Sequence, residues 1–264
     1  MLWHSRAYGA FIIVALLGIG ALSLVTEETL AIRVTKLTQF MHAHLSQDAS
    51  VAYDYGNQRF SAIDKEWYDV EAAEYYFRLA EERDPRLPYV NHQLARIEFL
   101  RGDFIDGLVL INRELEVNPD PSPSTYYIRG LIEGFAGLYD MAARDYETYL
   151  RADPTNWAAI NDYAWVLLKA GRSMDALHAT ARGLSFFPDN PWLLNSNAIA
   201  LYEEGFLAEA QEQARRALAL TLKLTEEDWL LAYPGNDPRV AREGLDALGD
   251  SIRANMLAIR EALQ

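Results

Sequence analysis

The chain has 264 residues, 50% of them hydrophobic and 23% charged, enough apolar side chain to bury a core and too much for a disordered polymer. Its 24 Lys and Arg stand against 38 Asp and Glu, a net charge of −14, so a phosphate backbone is repelled and nucleic acid is excluded as the main partner. The absence of cysteine removes disulfides, thiolate metal sites and a cysteine nucleophile.

In chain order, AYGAFIIVALLGIGALSLV (residues 7–25) comes first and carries no charge. About 20 apolar residues cross a bilayer core as a helix, so 1–25 reads as a transmembrane anchor. A signal peptide is the competing reading, because Arg6 precedes the run and Ala21 and Ser23 form a small-x-small site. The run is longer than the ~7–15 residues usual for such a core. Arg6 precedes the span, and Glu27, Glu28, Arg33 and Lys36 follow it. The expected placement is a single pass through an inner or plasma membrane, with the rest of the chain on the periplasmic side.

Residues 26–53 hold no Pro or Gly and are expected to be an amphipathic linker helix continuing the span as a rod. Leu30, Val34, Leu37, Met41 and Leu45 recur at helical steps. Such a stripe pairs with a second copy as a short coiled coil or packs on the next domain.

Beyond it one punctuation returns. Pro85, Pro119, Pro154 and Pro188 are separated by 34, 35 and 34 residues, the signature of a repeat architecture. Blocks then begin at Asp54, Pro88, Pro123, Trp157 and Pro191. Gly102, Gly137, Gly171 and Gly205 fall at the fifteenth position, where a helix must end with positive φ. Ala73, Gly107, Ala142, Ala176 and Ala210 follow five positions later, where two helices must approach closely.

With Tyr126, Gly130, Ala142, Tyr146 and Pro154 in the third block, the chain resembles the tetratricopeptide repeat (TPR) family, whose 34-residue signature runs W-x2-L-G-x2-Y, A-x3-F, P. The other blocks carry Ala73, Phe77, Ala80 and Pro85; Leu94, Ala95, Ile111 and Pro119; Tyr163, Ala164, Leu167, Ala176 and Pro188; and Ala198, Leu201, Ala210 and Ala217, with Leu222 in place of the last proline. Asn57, Asn91 and Ile160 replace hallmark aromatics. The expected fold is all-α: a right-handed α-solenoid of about five helix-turn-helix repeats over 54–224, with an N-terminal transmembrane helix and C-terminal capping helices over 225–264. In the cap, Thr225 and Asp228 form a capping-box pattern, Pro234 and Gly235 break the helix, and Asp237 with Pro238 starts another. Val240, Leu245, Leu248, Ile252, Met256, Ile259 and Leu263 then make one stripe, read as packing on the fifth repeat or docking a partner.

Catalytic chemistry is not signalled. Of His4, His42, His44, His92 and His178, the pair His42 and His44 point apart on a helix, and no H-E-x-x-H, G-x-S-x-G or P-loop occurs. Neither an enzyme nor a cofactor is expected. The resemblance implies that positions 2, 5, 9 and 12 of each block line a concave, protein-binding groove: Tyr55, Gln58, Tyr89, His92, Arg96, Phe99, Tyr127, Asn161, Trp165, Trp192, Asn195 and Tyr202. Rings supply contact area and amides bond a peptide backbone. The Lys and Asn set with which some relatives hold a C-terminal carboxylate is not reproduced. The expectation is a membrane-anchored scaffold that holds a partner protein. The alternatives are a constitutive subunit of a membrane complex or filament, and an accessory protein of a membrane enzyme.

Overall fold

The structure, a computed structural model, describes residues 27–63, 65–233 and 236–264. Among these the chain is all-helical. Helix α1 (Glu27–Leu45) is followed by α2 (Ala49–Arg59) and α3 (Val70–Arg83), α4 (Val90–Arg101) and α5 (Phe104–Val117), α6 (Pro123–Phe135) and α7 (Tyr139–Ala152), α8 (Trp157–Lys169) and α9 (Ser173–Phe186), and α10 (Pro191–Glu203) and α11 (Leu207–Thr221). A short α12 (Glu226–Ala232), a 3₁₀ turn (Pro238–Val240) and α13 (Ala241–Ala262) complete it.

Each helix from α2 to α11 packs on its neighbours in sequence, so the chain is a stack of antiparallel pairs. Gly102, Gly137, Gly171 and Gly205 have φ of 79, 81, 72 and 82°, and the residue after each closes the same bond back into the first helix of its pair. Asp103 N–H donates to Glu98, Leu138 to Glu133, Arg172 to Leu167 and Phe206 to Leu201, at 2.8–2.9 Å. This is the Schellman closure, which needs a left-handed residue. Asparagine begins two of the first helices: Ala159 N–H donates to Asn156 and Leu193 N–H to Asn190, both at 3.0 Å. The second helices begin at 70, 104, 139, 173 and 207, steps of 34, 35, 34 and 34. Ala73, Ala142, Ala176 and Ala210 are fully buried at the crossings where the sequence placed small residues.

The first pair departs from the period. Asp48 caps α2 by accepting from Ser50 N–H at 2.9 Å, so α2 starts at Ala49 rather than Asp54. A longer connection, 60–69, absorbs the difference; Asp69 N–H donates to Arg59 C=O at 2.8 Å and Trp67 lies 4.6 Å from the Arg59 guanidinium. The linker helix expected to run to 53 accordingly stops at Leu45. The stripe read along it is not its packing face: Val34, Leu37 and Leu45 are 53, 60 and 75% exposed. α1 seats instead through Gln39 and Ala43, which are buried, with Arg59 donating to Gln39 at 2.8 Å and Lys36 to Glu66 C=O at 3.1 Å.

At the other end, Thr225 and Asp228 form a reciprocal capping box. α13 packs on α11 through Ile252 and Ile259, both buried, with Leu248 and Met256 beside them. Its stripe thus covers the last pair, with Val240 and Leu263 left exposed at its ends. Trp229 of α12 sits over Gly244, where a Cβ would come within 2.2 Å of the indole. Leu230 reaches the apolar cluster of the first two pairs, so the segment after α11 crosses back to the start of the stack.

The placement in a membrane is corrected. The run 7–25 lies outside the described residues, as do Pro234 and Gly235, and among the described residues no helix is long and apolar enough to cross a membrane. α13 is long, but charges such as Arg242, Asp246, Asp250, Arg253 and Arg260 make its outer face polar. A single-pass inner-membrane protein with a periplasmic solenoid is therefore not carried further.

Two glycines should respond oppositely to alanine. Gly171 has φ 72° and open space around it, so Gly171→Ala adds only left-handed backbone strain and should cost about 1 kcal/mol. Gly249 lies within α13, and its added Cβ would meet only the Arg253 guanidinium, at 3.4 Å. Gly249→Ala should be neutral or stabilising by up to about 1 kcal/mol. Urea midpoints at unchanged m-value check both.

Candidate protein-binding groove

The first helices of the pairs bring α4, α6, α8 and α10 side by side, and α13 extends the row past α10. Their inner faces enclose a groove of about 1300 Å³, closed on one side by Leu231, Tyr233 and Asn236 of the crossing segment. Eight of the twelve residues expected from the sequence line it: His92, Arg96, Phe99, Tyr127, Asn161, Trp165, Trp192 and Asn195.

The other four lie elsewhere. Tyr55 and Gln58 face α1, because α2 begins ahead of the period: the Tyr55 hydroxyl meets His42 Nδ1 at 2.8 Å and Gln39 donates to Gln58 at 2.7 Å. His44 takes a different partner, the Tyr75 hydroxyl at 2.5 Å, so the two histidines do diverge. Tyr89 stands before the first turn of α4 with φ 70°, and its N–H donates to the buried Glu114 carboxylate at 2.7 Å. Tyr202 packs with the Ala198–Ile259 cluster against α13.

A ladder of polar contacts stitches the concave wall. Gln93 donates to Asn57 at 2.5 Å, His92 Nδ1 meets Thr125 Oγ1 at 3.2 Å, Tyr127 donates to Asp162 at 2.6 Å and Ser196 donates to Asn161 at 2.8 Å. Asn255 of α13 donates to Asn195 at 3.0 Å. Each rung joins one inner helix to the next, so part of the amide capacity expected to bind a peptide is already used within the wall. Asn195 keeps its amino donors, and Asn161 donates only a long bond, 3.4 Å, to Asp162.

The groove's rings fall into separate groups. Phe135, 52% exposed, has its centroid 5.2 Å from Phe99 and 5.0 Å from Trp165. Toward the N-terminal ends of the first helices, Trp157 and Trp192 are 5.0 Å apart, and Tyr127 is 5.2 Å from Tyr149 near the end of α7. Asp162, Tyr149, Trp157, Phe135 and Tyr233 were missed from the sequence. Phe135 and Asp162 sit one position from the expected inner stripe, and Trp157 was read only as a helix start. Tyr233 comes from beyond the repeats, where no period points.

Burial governs the charges here. His92 is pushed down to about 3, first by burial and then by the Arg96 charge, so it is neutral. Asp162 is raised to about 6 by burial, against the opposing bonds from Tyr127 and Asn161. Glu133, behind the groove, is raised to about 7 by burial and the nearby Asp145 charge. Both carboxylates bind protons more tightly folded than unfolded. Their contribution is complete below the ordinary carboxylate range and is lost as pH rises through 6 to 7. The unfolding free energy should therefore fall between pH 5 and pH 8, and Asp162→Asn, which keeps an acceptor for Tyr127, should remove on the order of 1 kcal/mol of that fall. Urea titrations at the two pH values measure it.

Comparison with known proteins agrees with this geometry. The family profile described as tetratricopeptide repeat matches residues 145–178, one period running from mid-α7 into α9. No curated protein matches the sequence. Among solved structures, the chain is similar to YrrB, described as a TPR protein with an unusual peptide-binding site, at 12% identity and a TM-score of 0.57 over 67% of this chain and 88% of that one. It is similar to MamA at 17% identity and 0.56, over 66% and 92%, and to MamA AMB-1 at 19% and 0.57, over 66% and 99%. The chain thus carries a tetratricopeptide repeat at 145–178, within a helical stack that has the fold of tetratricopeptide-repeat proteins.

Proposed function

We propose that the chain is a non-catalytic scaffold whose groove holds an extended segment of a partner protein. The observation that carries this is the groove itself, about 1300 Å³ walled by the inner helices. The Phe99, Phe135 and Trp165 rings and the Asn195 amide all line it. Partly exposed rings give contact area at low entropic cost, and unspent amide donors suit a peptide carbonyl. The peptide-binding site named for YrrB supports the same use of the fold. A fluorescein-labelled degenerate octapeptide library is the probe. Phe135→Ala, Trp165→Ala and Asn195→Ala combined should weaken its binding at least tenfold with unchanged helicity by circular dichroism, and unaltered binding would remove the groove reading.

A second reading, a constitutive subunit of a larger assembly, is favoured by the exposed Val34, Leu37 and Leu45 on α1; with Leu30 and Met41 they form the stripe expected to self-associate. Sedimentation equilibrium of the full chain should show association that Leu37→Glu with Leu45→Glu abolishes. A monomer unaffected by the pair of charges would count against this reading and leave the groove untouched.

A further inference from the structure

The rungs of the concave ladder are neutral except one. Gln93 with Asn57, Ser196 with Asn161, and Asn255 with Asn195 pair amides and hydroxyls, and His92 with Thr125 pairs a neutral imidazole with a hydroxyl. Tyr127 instead donates to a carboxylate, Asp162 Oδ2. An asparagine would accept that bond as well, so the ladder does not require the charge. Asp162 forms no ion pair among the described residues; its partners are the Tyr127 hydroxyl and the Asn161 amide. An ionised carboxylate partly withdrawn from water without a countercharge is destabilising, so its presence here works against the fold.

Aromatic faces surround the same part of the groove. Tyr127 packs on Tyr149 at 5.2 Å between centroids, Trp157 on Trp192 at 5.0 Å, and Tyr233 meets Trp192 edge-on at 6.3 Å. All five, with Asp162, line the groove, and the Asp162 charge is felt at the hydroxyls of Tyr127 and Tyr233. The negative faces of Trp and Tyr attract cations. The groove's own cations are placed elsewhere: Arg96 lies 4.7 Å from the Phe60 ring and donates to Gln93 at 2.8 Å, and Lys169 is two turns along α8 from Asp162, about 10 Å away by helical rise.

We propose that Asp162 with the rings of Tyr127, Tyr149, Trp157, Trp192 and Tyr233 forms a pocket for a cationic side chain, Lys or Arg, of an extended partner segment. The proposal rests on the reading of the groove as a peptide-binding surface. Charge complementarity supports it, since the chain carries a net charge of −14 and attracts basic segments at long range. A groove of about 1300 Å³ exceeds the roughly 300–1,000 Å³ of small-molecule sites and has room for chain on either side of the cation.

The test uses fluorescein-labelled octapeptide pools, degenerate over uncharged residues and carrying Arg, Leu or Glu at the fourth position, titrated against the full chain by fluorescence polarisation. The Arg pool should bind at least tenfold more tightly than the Leu pool, and the Glu pool most weakly. Asp162→Asn should bring the Arg pool to within twofold of the Leu pool. Trp157→Ala, which leaves the ladder intact, should lower the Arg preference at least threefold. Equal binding of the three pools, or an Arg preference that survives both variants, would overturn the cation pocket and leave the groove reading standing. Failure of every pool to bind would overturn both.

Discussion

Most of this architecture depends on one backbone requirement, a residue with positive φ at the end of the first helix in the four pairs from α4 to α11. The left-handed conformation costs an L-residue with a side chain roughly 1–2 kcal/mol, and here the chain supplies glycine at 102, 137, 171 and 205. With the turn closed, the second helix has to run back along the first, and the small residue five positions later lets the two axes approach. Ala142 and Ala176 are fully buried at those crossings. At Gly107 an added Cβ would meet Ile132 at 3.4 Å and the Ala95 carbonyl at 3.5 Å. The same turn fixes which face of each first helix points inward, so the groove is a consequence of the period.

A stack of pairs must also satisfy polar groups that the crossings bury. Arg129 forks onto Asp145 at 2.6 and 2.8 Å, and Glu114, fully buried, accepts from Tyr89 N–H and from Asn118. These bonds tie helices inside one pair or hold the entry to the next helix. The concave ladder ties one pair to the next. Buried hydrogen-bonded pairs of this kind contribute modestly when intact and cost more when one partner is lost. They fix register between pairs rather than adding much stability. Asp162 is the exception, since its rung would close with a neutral group.

The repeats were legible because their signals are local: prolines at a fixed period, glycines that need positive φ, and small residues at crossings each report on a few neighbouring residues. The first pair was misread for the same reason. Nothing in the period reveals that Asp48 caps α2 early or that 60–69 is long, and Tyr55 and Gln58 were assigned to the wrong face as a result. The stripe from Leu30 to Leu45 is genuinely helical, yet α1 seats through Gln39 and Ala43, because a polar network with Arg59 decides the contact. Within the groove, eight positions followed from the tetratricopeptide resemblance, once the period had set the register. Asp162, Trp157 and Tyr233 did not, since their importance comes from what the neighbouring helices and the crossing segment bring beside them.

The crossing segment also sets how the groove can change. α12 is anchored at its middle, where Trp229 fills the space that the absent Cβ of Gly244 leaves open and packs with Ala241 and Leu245. Its contact with the first pair is thinner: Leu230 on the apolar cluster, and Lys65 to Glu226 at 3.8 Å with both side chains about half exposed, a pair worth about 0–1 kcal/mol. Tyr233 lies just beyond α12 and forms part of the groove wall. A partner entering the groove would therefore meet the stacked helices on one side and a segment held mainly through Trp229 on the other. The dimensions of the aromatic pocket depend on the cap as well as on the repeats, so truncating the chain after α11 would remove a wall of the site while leaving the helix pairs from α2 to α11 in sequence.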